Sequence, residues 1–219
     1  MSYDIKIDVD EVAIGYVADM KGALSIGLSW WEWKEIFLDS HHQLDSHHQL
    51  DDIKRLIPQN LKDEALTLKF TIRDAWCTHE GKVLTWLQEL TQWSIPEISI
   101  HICVVPFQCS QVPFPGLPFI FLGYIREGWY YPETIAHELA HILFNWYTDF
   151  STEEAHPLIQ LIEEEIAVRL GNRSAYFAYE IPSGAHWVKK AQEMKDVWED
   201  YLKEKDCYRS IADLVDFMI

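Results

Sequence analysis

Two histidines and a glutamate in the window 134–143 (TIAHELAHIL) have the types and spacing needed for metal chemistry. His137 and His141 are four residues apart, so on an α-helix they lie on one face, one turn from each other. Two imidazoles at that spacing can bind a single Zn²⁺ at about 2.0–2.1 Å. Glu138 projects beside that face, where a carboxylate can take a proton from a metal-bound water. The window therefore predicts two ligands and the general base of a metal-assisted hydrolysis.

The residues around this window predict a buried helix. Positions 134–136, 139–140 and 142–143 are uncharged and contain no proline. A charge at these positions would be left unsolvated beneath an active-site floor. Pro132 and Glu133 suit the first turn, because proline lacks an N–H that would be unpaired there and the helix dipole favours a carboxylate.

The motif His-Glu-x-x-His at 137–141 resembles that of zinc metallopeptidases of the zincin type. The resemblance covers the motif helix, the segment before it and the helix after it, about the central third of the chain. Metzincins are excluded, because they need glycine three residues and histidine six residues after His141, where this chain has Phe144 and Tyr147. The third metal ligand is then expected from another part of the chain.

Residues 151–171 resemble the helix from which gluzincins supply a glutamate as third ligand. This helix is predicted to begin either at Ser151, whose spacing to Glu154 is that of a capping box, or at Pro157. Gly171 stands where a helix stop belongs.

Three consecutive glutamates in this helix compete for the role of ligand. Glu163 and Glu165 flank the main apolar stripe, whereas Glu164 lies on a second, uncharged column of the helix. Ala167 follows Glu164 by three residues, as the gluzincin motif asks, but Val168 stands where the family often places Asp or Asn. We predict Glu164 as the third ligand, with Glu163 as the second choice.

The resemblance implies a zinc-dependent peptide hydrolase (a gluzincin-like metalloprotease) in which Zn²⁺ is the cofactor, Glu138 is the general base and a peptide or protein is the substrate. It also implies a donor to the oxyanion from beyond the ligand helix, for which Tyr176, Tyr179 and His186 are candidates. The segment 118–124 is predicted to be a strand, which in zincins forms the upper rim of the cleft.

Two other interpretations stay open. Peptide deformylases combine the same motif with an upstream cysteine ligand, for which Cys103 and Cys109 are the candidates in this chain. The second interpretation is a non-catalytic zincin-fold protein, with a binding or regulatory role and a structural zinc.

Composition narrows the class of protein further. A chain of 219 residues with 48% hydrophobic residues suits one folded domain. A net charge of −17 disfavours nucleic acid as a partner, and no apolar stretch is long enough to span a bilayer. The N-terminus lacks the pattern of a signal peptide, so we expect a cytoplasmic protein. Oligomeric state stays open.

A six-residue sequence, DSHHQL, is repeated in tandem at 39–44 and 45–50. Its four histidines (His41, His42, His47 and His48) suggest a metal site. A period of six matches neither a helix nor a strand face, so we interpret the repeat as a local duplication in an exposed segment.

The predicted fold class is α+β and zincin-like: a small mixed sheet packed on the motif helix, followed by a helical C-terminal part. We expect one domain over 1–219, sheet-rich at 1–131 and helical at 132–219. Strands are predicted at 5–8, 13–18, 66–71 and 98–105. Further helices are predicted at 25–38, 82–93, 187–203 and 208–217.

Overall fold

The computed structural model describes residues 4–42, 47–126, 128–171, 185–208 and 210–217. Within these ranges the chain divides into two compact units. The sheet unit comprises the described residues within 2–74 and 99–126, and the helical unit comprises those within 75–98 and 127–219. The prediction of one domain over 1–219 stays a prediction.

The sheet unit is built on a mixed four-stranded sheet with the order β1-β2-β4-β3. Its strands are β1 (Asp4–Val9), β2 (Ser99–Gln108), β3 (Ser110–Gln111) and β4 (Phe119–Tyr124). β1 and β4 run parallel to β2 on either side, and the short β3 is antiparallel to β4. The strands predicted at 5–8, 98–105 and 118–124 are confirmed.

A bulge in β2 places one strict demand on the sequence of β4. The register of the two strands shifts between Val104 and Gln108. The backbone of β2 comes so close to Gly123 at this point that a Cβ there would collide with the Phe107 carbonyl. Only glycine fits at position 123 because it has no Cβ.

Four helices complete the sheet unit: α1 (Glu11–Met20), α2 (Trp30–His42), α3 (His47–Leu56) and α4 (Gln59–Cys77), the last of which continues into the helical unit. Aromatic rings dominate the core, where Tyr16 and Phe37 both contact Phe114 and Phe121 edge-on or tilted. The helix predicted at 25–38 begins and ends later, at 30 and 42.

Two strand predictions are wrong, because residues 13–18 lie in α1 and residues 66–71 lie in α4. Residues 13–18 are all buried, and an apolar run buried on every side looks the same in a helix and in a strand. In α4 the buried positions include Ala65, Leu68 and Ile72, whereas Leu66 is exposed. That spacing of three and four residues is helical and outweighs the local alternation of LTLKFT.

The helical unit contains α5 (Glu80–Thr91), α6 (Tyr131–Tyr147), α7 (Thr152–Arg169), α8 (Ala185–Glu193) and α9 (Lys195–Lys203). Two 3₁₀ segments follow, at Lys205–Cys207 and Ile211–Phe217. α6 and α7 are joined by a short link at 148–151 and pack against each other, and α8 packs on α7. The helix predicted at 187–203 is divided at Met194, and the one predicted at 208–217 is a 3₁₀ segment from 211.

The α+β class, the mixed sheet and the helical C-terminal part are thus confirmed. No helix in the described part of the chain combines the length and the apolar character needed to cross a bilayer.

Candidate metal centre

The motif lies in the middle of α6, which is buried along most of its length. Pro132 and Glu133 are in its first turn, as predicted, and the helix continues without a break through Phe144 to Tyr147. His137 and Glu138 are only 4% and 3% exposed. The sequence thus builds a rigid, buried element that holds both residues away from bulk water.

A capping box determines where α7 begins. The hydroxyl of Ser151 accepts a hydrogen bond from the Glu154 N–H, and the Glu154 carboxylate accepts one from the Ser151 N–H at 2.7 Å. The helix therefore begins at Thr152, which places His156 inside it rather than before it. His156 and Glu163 are seven residues apart, so both project from the same face of α7.

Three histidines converge between α6 and α7: His137, His141 and His156. Each offers one ring nitrogen, and these nitrogens all lie within 4.8 Å of one another. The Nε2 atoms of His137 and His141 are 3.2 Å apart. Ligand atoms around a tetrahedral Zn²⁺ are separated by about 3.3 Å, from bonds of about 2.0–2.1 Å. The spacing therefore fits two nitrogens that share one ion.

Two oxygen acceptors favour the ring tautomers that a metal needs. The Nδ1 of His137 lies 2.8 Å from Glu163 Oε2, and the Nδ1 of His156 lies 3.0 Å from the Thr152 carbonyl oxygen. When each Nδ1 carries the proton and donates it, each Nε2 keeps its lone pair for a metal. Histidine ligands usually donate their other N–H to a carboxylate or carbonyl in this way.

An aromatic ring holds His156 on its other side. The indole of Trp187, in α8, stacks on the imidazole with ring centres 4.0 Å apart and planes inclined by only 6°. This contact restricts rotation of the imidazole, so α8 helps to position the third histidine.

Burial favours the neutral form of the three imidazoles, which is the form that binds metals. Desolvation lowers the pKa of His137, lowers that of His141 well below its ordinary value and lowers that of His156 to about 4. The neighbouring histidines add to the effect at His141 and His156, whereas Glu138 and Glu133 oppose it at His137. Desolvation also raises the pKa of the Glu163 carboxyl, which is 1% exposed.

The predicted site residues are only partly brought together. His137 and His141 meet as predicted, and Glu163, the second choice for a ligand, contacts His137 instead. Glu164 turns away to an ion pair with Lys195 Nζ at 3.1 Å. Its assignment as a ligand stays a prediction.

The structure also bears on the residues predicted as donors to the oxyanion and on the alternative of a cysteine ligand. His186 lies 3.6 Å from a Glu153 carboxylate oxygen and its ring is next to Trp187, whereas Tyr176 and Tyr179 lie outside the described residues. Among the described residues, the group around His137 and His141 contains no thiol.

His156 is not among the predicted ligands, because it lies outside both the motif and the run of glutamates in α7. The capping box at Ser151 was the signal that could have found it. A helix that begins at Thr152 aligns His156 with Glu163, two turns further on, and such a histidine is a natural partner for His137 and His141.

Comparison of the chain with protein-family models, with curated proteins and with solved structures returned no match. The geometry therefore supports one statement about the class of protein. Three histidines on two packed helices form a group that could hold a metal ion.

Proposed function

We propose that the chain is a zinc-dependent hydrolase of peptide bonds, with Zn²⁺ bound by His137, His141 and His156 and with Glu138 as general base. The observation that carries the proposal is the convergence of three imidazoles beside a buried glutamate of the motif. The peptide bond as substrate rests on the resemblance of residues 134–143 to zincins.

A set of three protein ligands favours catalysis over a structural role. Structural zinc sites are usually closed by four protein ligands and are rich in cysteine, whereas catalytic sites keep one position for water. The described group consists of three histidines. Glu138 supports the same conclusion, because a structural site has no use for a general base.

Each residue has a distinct role in the proposed reaction. Zn²⁺, when bound, would lower the pKa of water toward about 7 and polarise a carbonyl. Glu138 takes the proton of the attacking water and passes it to the leaving amine. Glu163 and the Thr152 carbonyl hold His137 and His156 in the tautomer that leaves Nε2 free, and Trp187 holds the ring of His156 in place.

The geometry favours His156 over Glu164 as third ligand. Glu164 is engaged with Lys195, whereas His156 already points a ring nitrogen toward the other two histidines. A three-histidine set also keeps the bound ion more positive than a set with a carboxylate, which favours acidification of water.

The test is Glu138→Gln. The variant should keep the zinc content of the wild type, because Glu138 is not a ligand. It should lose hydrolysis of a fluorescence-quenched peptide library by about 10²–10⁴-fold, the usual contribution of a general base. Glu164→Gln, which removes a charge from the neighbouring helix, is the matched control and should keep the activity. Full activity in Glu138→Gln would contradict the assigned base, and a wild type without metal would contradict the whole proposal.

A further inference from the structure

A second group of metal-ligating side chains lies in the sheet unit. The carboxylate of Asp10, a ring nitrogen of His41 and the thiol of Cys103 all lie within 4.8 Å of one another. Asp10 lies between β1 and α1, His41 is in the last turn of α2, and Cys103 is in the middle of β2. Three elements that are distant in sequence therefore meet at this group.

The fold fixes the position of the Asp10 carboxylate. β1 runs parallel to β2 with Asp8 opposite Cys103, so the chain that leaves β1 passes close to the thiol. Asp10 then caps α1, because its Oδ1 accepts a hydrogen bond from the Ala13 N–H at 2.9 Å. The cap leaves Oδ2 directed toward His41, whose Nε2 is 2.9 Å away.

This contact between His41 and Asp10 is not a well-directed hydrogen bond. Nε2 of His41 is buried and has no hydrogen-bond partner among the described residues, although the Asp10 oxygen is near. Phe37 and Phe119 hold the imidazole, with ring centres 4.5 and 4.6 Å from it. A buried nitrogen and a carboxylate oxygen that approach each other without a hydrogen bond are placed as two ligands of one ion would be.

The packing of His41 also corrects the interpretation of the tandem repeat. His41 belongs to the first copy of DSHHQL, which we expected to lie in an exposed segment. The ring instead packs on the aromatic core of the sheet unit. Residues 43–46 of the repeat lie outside the described residues.

Cys103 does not have the environment of a nucleophile. It is 3% exposed, and burial together with the nearby Asp10 and Asp8 raises the pKa of its thiol. Reactive cysteines are partly exposed and have a lowered pKa. A divalent cation at this point would instead deprotonate the thiol and compensate the charge of the carboxylate.

We propose that Asp10, His41 and Cys103 form a second metal site, separate from the three-histidine group, that binds Zn²⁺. The combination of thiolate, imidazole and carboxylate suits Zn²⁺ among the common divalent metals.

Co²⁺ is a suitable probe because a cobalt–thiolate bond gives a charge-transfer band in the near ultraviolet, whereas the three-histidine group contains no sulfur. The measurement uses the full chain with Cys77, Cys109 and Cys207 replaced by serine, so that Cys103 is the one remaining thiol. Titration with Co²⁺ should produce the band with one equivalent bound at this site, in addition to the equivalent that the three-histidine group takes up, and Zn²⁺ should abolish it. Absence of the band in this protein would overturn the proposal, whatever the behaviour of further variants.

Three further substitutions, made in the protein that keeps only Cys103, test which residues bind the cobalt. Asp10→Asn keeps a good helix cap, and His41→Gln keeps a side chain of similar polarity. Loss of an outer-shell partner alone weakens metal binding about 10–100-fold, so each ligand change should weaken cobalt binding by more than about tenfold. His141→Ala should leave the band unchanged, which separates this site from the proposed catalytic one. A band that persists unchanged in both ligand variants would show adventitious binding by the thiol alone and would overturn the proposal.

Discussion

Glu163 and His137 bring two titratable side chains into contact in the interior of the helical unit. Both groups are almost completely buried, and burial opposes the charged form of each, raising the pKa of the carboxyl and lowering that of the imidazole. Buried titratable groups with displaced pKa values concentrate at functional sites. A carboxylate that accepts the Nδ1–H of a metal-binding histidine gives this pair a role.

Glu163→Gln should weaken zinc binding by about 10–100-fold, the usual cost of losing an outer-shell partner of a histidine ligand. The amide keeps the size of the side chain but is a weaker acceptor for the Nδ1–H of His137. Zinc affinity measured by competition with a chromogenic chelator would show the change. Glu164→Gln is the matched control one residue away, and we expect less than about a threefold effect, because a partly exposed ion pair contributes little. A larger effect at Glu164 than at Glu163 would reverse the roles assigned to them.

At the scale of residues, the sequence predicts the motif but not the third histidine. His137, Glu138 and His141 are adjacent along the chain, and their spacing alone places them together. His156 joins them only because α7 packs on α6 at one particular rotation, which depends on the whole apolar stripe of α7. The capping box at Ser151 places His156 inside α7, but no local pattern determines that rotation.

At the scale of elements, the position of α7 relative to α6 matters most for the site, because α7 must place both His156 and Glu163 next to the histidines of α6. The capping box at Ser151 fixes the first turn of this helix, and His156 lies five residues after Ser151. A frayed first turn would release the Thr152 carbonyl that accepts the His156 N–H. The cap therefore links helix stability to the geometry of the site.

Ser151→Ala should lower the free energy of unfolding by about 1 kcal/mol, within the range of about 0.5–2 kcal/mol typical of lost N-caps. Urea denaturation monitored by circular dichroism would measure it. Ser151→Asp is the matched control, since aspartate caps helices as well as serine does and should restore most of the stability. Equal stability of the alanine variant and the wild type would show that the cap does not hold the first turn.

Element prediction succeeded where a turn signal or a cap bounded the segment, and it failed at 13–18, where burial is uniform, and at 66–71, where a local alternation resembles a strand. α6 and α7 carry clear start signals at Pro132 and Ser151. Residues 13–18 carry an apolar run that suits a helix and a strand equally, and the helix cap at Asp10 is the feature that distinguishes the two. The pairing of β1 with β2 joins residues 95 apart in the chain, such as Asp4 and Ser99, so no short window of sequence predicts it.

At the scale of the whole molecule, the structure separates two groups of possible metal ligands into two compact units. The helical unit is further held by an ionic cluster centred on Glu89 of α5. Its carboxylate accepts hydrogen bonds from Arg169, at the end of α7, and from Lys205, each at 2.9 Å. These two cations lower the pKa of Glu89 from 4.5 to about 2.

The depressed pKa gives a defined dependence of stability on pH. The folded state favours the ionised carboxylate, so the contribution of Glu89 is complete above the unfolded pKa of 4.5 and is lost as the pH falls through about 2. Glu89→Gln should therefore lower the free energy of unfolding at neutral pH, by about 1 kcal/mol or less, because 47% of the Glu89 side chain is exposed and water screens the pairs.

The difference in unfolding free energy between wild type and Glu89→Gln should stay constant from neutral pH to about 4.5 and shrink toward zero near pH 2. Urea denaturation at a series of pH values measures it. Glu97→Gln, at an exposed position of the same unit, controls for the loss of one negative charge. A difference that grows on acidification would contradict the assigned ion pairs.

The central claim, that His156 completes a metal site with His137 and His141, is tested most directly by zinc affinity in His156→Ala and Glu164→Ala. Both variants are made in a Cys103→Ser background, so that the second group of ligands does not contribute. We predict that His156→Ala loses one bound zinc per chain, whereas Glu164→Ala keeps it with an affinity close to that of the parent. Retention of zinc in His156→Ala together with its loss in Glu164→Ala would contradict the three-histidine site.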